Sequence, residues 1–241
     1  MNKAVSRRPE SPQPQTMVQS VIADVLRHIH ERQLKVGDTV PSEGEFGQQL
    51  GVSRTVMREA FKALAAMNII EVHAGRKARV KAFDSTLMAL TLSHGLHTEQ
   101  LTVQQLWDVR RSMEMRTVVL ACMHRSEAVA AALLELTERM RATHNDVAAM
   151  TEHDIAFHEE IAKATRNPLF PVLVSSLTQA MRETNPIVWR SRTRSEEQLK
   201  VVDWHRDIAE AIRDQDPGRA MEAMSLHFDE ALRGLVLSGF N

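Results

Sequence analysis

The chain has 241 residues, of which 43% are hydrophobic and 25% charged, with a formal net charge of −1. That is the balance of a soluble globular protein with room for two modest domains or one large one. A single cysteine, Cys122, excludes an internal disulfide and suits a reducing compartment; it lies in an apolar helical run, as an inert buried thiol would. No apolar stretch is long enough to span a bilayer, and the opening MNKAVSRRPESPQPQ lacks a signal peptide's apolar region, so a cytoplasmic protein is expected.

Few aromatics (4%), 9 Gly and 8 Pro favour helices over sheet. The net charge hides an asymmetry. Residues 1–81 carry 13 Lys/Arg against 8 Asp/Glu, a balance of +5, and residues 82–241 carry 17 against 23, a balance of −6. A basic front and an acidic back suggest two domains with different partners.

Residues 1–15 are polar and punctuated by proline, and are expected to be a disordered arm. From Thr16 the pattern turns helical: Met17, Val18, Val21, Ile22, Val25, Leu26 and Ile29 form one apolar stripe. A turn at Gly37 and Asp38 follows. Ser42 with Glu45 is a capping box that starts a short helix, carrying Phe46 and Leu50 inward and stopping at Gly51. Ser53 caps the next, expected over about Arg54 to Met67 with Val56, Ala60, Leu64 and Met67 buried. Two short helices about a glycine-bearing turn describe a helix-turn-helix. The β-prone runs Ile69–Val72 and Ala78–Val80, separated by HAGRK, add a small hairpin with a basic tip.

The segment from Val40 to Val80, above all PSEGEFGQQLGVSRTVMREAFKAL and the wing ending in RV, resembles the winged helix-turn-helix of the GntR family of bacterial transcription regulators. The resemblance implies double-stranded DNA as partner and a contact surface of Ser42, Ser53, Arg54, Thr55, Arg58, Gly75, Arg76 and Lys77. Physical chemistry agrees. Arg54, Thr55 and Arg58 stand near the start of the second helix, where a recognition helix meets base edges. Arginine can give guanine two hydrogen bonds, whereas Ser53 and Thr55 can donate to phosphates. Gly44 departs from the family pattern, in which many relatives carry arginine after PSE, so one DNA contact is expected to be missing.

This domain is expected to cover residues 16–82, followed by a linker with a short helix over 83–99 and an all-helical domain over 100–236. QQLWDVRRSMEMRTVVLACMH is amphipathic, with Leu106, Val109, Met113, Val119 and Leu120 as inward candidates. AVAAALLELTERMRATH, TEHDIAFHEEIAKAT and PLFPVLVSSLTQAMRETNPIVW are expected as one helix each, and two more follow to the end. Six or so helices make an antiparallel bundle, with sites built from inward side chains. The fold class expected is mainly α: a winged helix-turn-helix followed by that bundle.

Within DIAFH, Asp154 and His158 share one helix face, one turn apart. Such a pair is half of a metal site or a solvated surface pair. His205, among Val201, Ile208 and Ile212, and His227, beside Met224 and Ala231, each put an imidazole on an apolar stripe, where a buried ring needs a partner.

DVRRSME, DIAFHEEIAKATRNPLF and HRDIAEAIRDQDPGRAMEAMSLH make residues 100–235 resemble the FCD effector domain of the FadR subfamily of GntR regulators. In the metal-binding branch one Asp and three His hold a divalent ion; the matching positions are Asp154, His158, His205 and His227. Nitrogen and oxygen ligation suits Zn²⁺ first and admits Ni²⁺, Mn²⁺ or Fe²⁺. The resemblance implies a small carboxylate effector, a sugar acid or hydroxy acid, completing the shell. Arg110 is the candidate cation for its second end, with an ordinary interhelix salt bridge as the equal alternative. The function expected is a homodimeric repressor on an inverted-repeat operator, since one winged helix covers half a site. A direct metal sensor without organic effector is the first alternative. A metal-dependent hydrolase or dioxygenase comes behind it, because no general acid or base is evident beside the ligands and Glu159 and Glu160 lie off their face.

Overall fold

The computed structural model describes residues 16–192, 194–237 and 239. The expected arm, residues 1–15, lies outside them. The chain forms two compact units that meet between Asp84 and Ser85.

The first unit has α1 (Met17–Glu31), α2 (Glu43–Leu50), α3 (Arg54–Ala66) and the antiparallel strands β1 (Ile70–Glu71) and β2 (Arg79–Val80). Its boundaries follow local chemistry. The Thr16 and Gln19 side chains and backbones satisfy each other in a capping box, and Ser42 with Glu45 does the same for α2. Gly51 ends α2 at φ +66°, a left-handed conformation that glycine adopts without strain, and Ser53 then caps α3. Val21, Val25, Phe46, Met57, Ala60, Phe61, Leu64 and Ile70 fill the core, with Phe46 edge-on to Phe61 at 6.3 Å. Three expected inward residues differ. Met67 is the residue that ends α3, and it is 37% exposed, while Met57 and Phe61 take the buried places; Met17 and Leu26 flank the stripe of α1 and face outward.

The second unit contains α4 (Thr86–His97), α5 (Val103–His124), α6 (Glu127–Ala142), α7 (Val147–Ala164), α8 (Leu169–Ser176), α9 (Thr178–Arg190), α10 (Ser195–Arg213) and α11 (Pro217–Leu237). The structure is mainly α, with a two-stranded wing as the sheet among the described residues. Helix α4, expected within a linker, packs against α8 and α9. The region expected as a single helix from Pro168 is two, interrupted at Leu177. Just before that point the Ser176 hydroxyl donates to the Leu173 carbonyl three residues back, a local bond of the kind that bends helices, while the Ser175 hydroxyl reaches across to Glu159 of α7. Val109, expected inward, is 51% exposed; on α5 the buried line runs instead through Leu106, Trp107, Arg110, Glu114, Val118 and Ala121. Helix α11 packs on α5 and α10, and α7 on α5 and α6, which brings the polar faces of α5, α7, α10 and α11 together inside the bundle.

Candidate metal centre and nucleic-acid surface

Helix α7 supplies Asp154 and His158, α10 supplies His205 and α11 supplies His227. One donor atom from each lies within 4.8 Å of all the others. His158, His205 and His227 are buried, and Asp154 keeps 13% of its side chain exposed. Two donors held by one ion at about 2.0–2.2 Å each stand at most about 4.4 Å apart, so the four would close by a few tenths of an ångström around a cation.

Hydrogen bonding sets which nitrogen faces inward. His205 Nδ1 donates to the Val201 carbonyl at 2.8 Å, which turns Nε2 toward Asp154 Oδ1 at 3.1 Å. A bare imidazole nitrogen facing a carboxylate oxygen needs a positive bridge, a proton or a metal. His158 Nδ1 bonds Glu114 Oε2, leaving Nε2 buried with no partner, and His227 Nδ1 is also buried without one. Buried polar atoms are almost always paired, so two orphans on neighbouring imidazoles point to an ion between them. The donor set fits a divalent metal.

Glu114 is the residue that the sequence did not disclose. It is fully buried and accepts from Arg110 Nε at 2.6 Å on one oxygen while the other meets His158. A carboxylate behind a ligating histidine fixes its tautomer and orientation. Arg110 Nη1 lies 2.8 Å from the Met181 sulfur and Nη2 3.6 Å from Asp154 Oδ2, so this arginine braces two ligand-bearing groups at once. Burial alone would push the Glu114 carboxyl up, but Arg110 and His158 hold it below the usual carboxylate range. Burial would lower His158, and Glu114 overrides it and raises it. His227 is pushed well down by burial and by its two histidine neighbours. Glu114 is thus a carboxylate next to the ligands, with one oxygen engaged by Arg110 and the other by His158. Glu159 does lie elsewhere, accepting from Ser175 and Thr178.

Beside the cluster is a cavity of about 40 Å³ lined by Asp154, His227, Asn185 and Arg192 and walled by Trp107, Trp189 and aliphatic side chains. One water needs roughly 10–15 Å³ by this measure, so the space suits a small molecule. Arg110 does not line it.

In the first unit Arg54, Thr55 and Arg58 are exposed and face one concavity with Glu43, Gly44 and Glu59. The Ser42 and Ser53 hydroxyls accept the backbone N–H groups of Glu45 and Val56 as helix caps. Gly75, at φ +72°, and Arg76 are exposed at the wing tip. Lys77 is exposed too, but its ammonium pairs with Glu45 at 2.9 Å. The Ser42 backbone N–H and then Lys77 hold the Glu45 carboxyl down at about 2. A phosphate reaching Lys77 must compete with that carboxylate.

No described helix is long and apolar enough to cross a membrane. The sequence profile described as "Bacterial regulatory proteins, gntR family" matches residues 17–80, and that described as "FCD domain" matches residues 105–230. The chain is 31% identical over 216 residues to the HTH-type transcriptional regulator LutR of Bacillus subtilis, covering 88% of this chain and 97% of that one. It is 30% identical over 213 residues to the Glc operon transcriptional activator of Escherichia coli K12, covering 86% and 84%. A solved structure of Streptococcus agalactiae GntR matches with a TM-score of 0.67 at 25% identity, covering 90% of this chain and 99% of that one.

Proposed function

The chain belongs to the GntR family of bacterial regulatory proteins, with an FCD domain behind its helix-turn-helix, and we propose that it is a cytoplasmic, homodimeric repressor released from an inverted-repeat operator by a small carboxylate bound beside a divalent metal. It is a DNA-binding transcription regulator with a helical effector domain. Asp154, His158, His205 and His227 would hold the ion, Zn²⁺ first among Zn²⁺, Ni²⁺, Mn²⁺ and Fe²⁺. When bound, the ion supplies a positive anchor for an effector carboxylate. The observation that carries the reading is the convergence of orphaned buried polar atoms on this cluster and its cavity: four of the five such side-chain atoms among the described residues belong there.

The chain's own groups do the rest. Glu114 holds the His158 ring, the Val201 carbonyl holds His205, and Arg110 steadies Asp154 and Glu114 from beneath. Arg110 can reach an effector only by way of these neighbours, so its contribution to effector binding is indirect. On the DNA side, Arg54 and Arg58 read bases, while Ser42, Ser53, Thr55, Arg76 and Lys77, with Gly75 permitting close approach, set the position on the backbone. An effector shifts DNA occupancy only through a difference in its affinity for the two states of the protein.

The test is a band-shift titration with whichever member of a hydroxy-acid and sugar-acid panel releases the wild type. His158→Ala, confirmed folded and metal-free, should bind the operator with near wild-type affinity and no longer respond. Release at the wild-type concentration would show that the effector does not need the metal. Release by metal alone would make the protein a direct metal sensor instead.

A further inference from the structure

Two cavity-lining side chains outside the ligand cluster carry polar atoms without a partner. Arg192, just beyond the end of α9, is only 7% exposed. Its guanidinium stacks near Trp189, 5.7 Å from the ring centre, and Nη1 donates to the Val188 carbonyl at 2.8 Å. Its Nε is buried with no acceptor, and among the described residues it has no ion pair. The carboxylates of Glu230, Asp154 and Glu197 act on it from a distance, but none pairs with it, and a buried guanidinium is costly until an anion makes direct hydrogen bonds to it. Asn185, seven residues and about two helical turns earlier, donates from Nδ2 to Asp154 Oδ2 at 2.8 Å. The carboxylate can only accept there, so the amide orientation is fixed. Asn185 Oδ1 is then an acceptor, buried and unpaired, on the wall of the same cavity.

We propose that Arg192 and Asn185 are the organic half of the effector site: Arg192 takes an anionic oxygen of the effector, and Asn185 Oδ1 accepts a hydrogen from an effector hydroxyl. This rests on the reading that the effector enters the cavity beside the metal ligands. It narrows the effector to a short carboxylate with a neighbouring hydroxyl, since the cavity is about 40 Å³ and, apart from the metal ligands Asp154 and His227 and the Thr151 side chain, its remaining walls are apolar. The Asn185 amide, half-buried, also gives Asp154 a contact that couples hydroxyl recognition to a metal ligand. A site built to pair with a hydroxyl rejects the analogue that lacks it, because the acceptor is left unsatisfied.

The probes are lactate and propanoate, the simplest pair of that size differing by one hydroxyl, titrated by calorimetry into the full-length Zn²⁺-loaded protein. Lactate should bind at least roughly 10-fold more tightly than propanoate. Arg192→Met should lose roughly 10-fold or more of lactate affinity while keeping its metal and its melting temperature, and Arg192→Lys should recover part of it. Asn185→Ala should bring the lactate-to-propanoate ratio close to one, and elemental analysis should find its metal retained. If His158→Ala abolishes lactate binding but Arg192→Met and Asn185→Ala leave both affinity and ratio unchanged, the cavity reading stands and this assignment fails. If lactate binds His158→Ala and Arg192→Met as tightly as it binds the wild type, the ligand sits elsewhere and the cavity reading itself fails. No lactate binding to the metal-loaded wild type at millimolar concentration overturns the assignment, two trapped waters then accounting for both unpaired atoms.

Discussion

The two units use arginine in opposite ways. Arg54 and Arg58 stand exposed on α3 with no ion-pair partner among the described residues, whereas Arg110 and Arg192 are buried in the bundle at 2% and 7% exposure. A residue that reads DNA must keep its donors free until a base arrives, and hydration keeps them at little cost. A residue that builds a pocket must hold still in a dry interior, where an unmatched charge is expensive and Arg110 is matched by Glu114 and Asp154. On the proposed reading, the same side chain serves a recognition surface in one unit and the wall and support of a pocket in the other. Substitutions on each side should behave accordingly, each damaging its own unit and sparing the other.

The largest effect is expected at the ligands. His205→Ala and His227→Ala should each lower metal retention by far more than 100-fold, and the wild type should lose its ion as pH falls, because protons compete for the imidazoles. Elemental analysis of protein dialysed at a series of pH values measures both. Wild type without metal, together with melting that Zn²⁺ and Ni²⁺ leave unchanged, removes the metal from the comparison. Next comes Glu114→Gln, which keeps the shape and removes the carboxylate behind His158; metal affinity should drop about 10- to 100-fold. Affinity equal to wild type in a competition titration would make Glu114 a packing residue only.

On the DNA side, Arg54→Ala and Arg58→Ala should each cost on the order of 1–3 kcal/mol on the specific site, with metal content and melting unchanged. Fluorescence anisotropy on specific and scrambled duplexes separates base reading from general attraction. Equal affinity of both variants and wild type would take these residues out of recognition.

The units also differed in how far they could be read from residues alone. The first is specified locally: Ser42 with Glu45, Gly51 and Ser53 fix the ends of α2 and α3 within a few residues of themselves. Only the edges of its apolar stripes, Met17, Leu26 and Met67, face outward against expectation, because a stripe's flank is decided by what packs beside it. In the second unit Asp154 and His158 could be paired by helical spacing, and His205 and His227 stood out as imidazoles on apolar faces. Glu114 could not be found that way. It sits 44 residues from His158, and a glutamate four residues after an arginine reads as an ordinary surface pair. Its position on the line Leu106–Arg110–Glu114 is the signal the sequence carries, a face that an inward Val109 does not share. Arg192 lies past the end of α9, where periodicity gives no direction.

The smallest effect sharpens the comparison from the exposed side, by adding an arginine rather than removing one. Gly44 sits in the first turn of α2 and shares a concavity with Arg54, Thr55 and Arg58. A Cβ built there would meet nothing nearer than the Ser42 hydroxyl at 4.0 Å, so Gly44→Arg fits without displacing a neighbour. Replacing glycine favours the helix by up to about 1 kcal/mol. A cation in the first turn opposes it by about 0.3–1 kcal/mol, so stability should barely change. On DNA the new guanidinium should add one phosphate contact, making the dependence of log affinity on log salt steeper by about 0.9 per bound half-site. Affinity at low salt should rise several-fold on specific and scrambled duplexes alike, since phosphate contacts carry no sequence information. A gain confined to the specific duplex would mean the added arginine reads a base, and an unchanged salt slope would mean that α2 does not face the DNA at all.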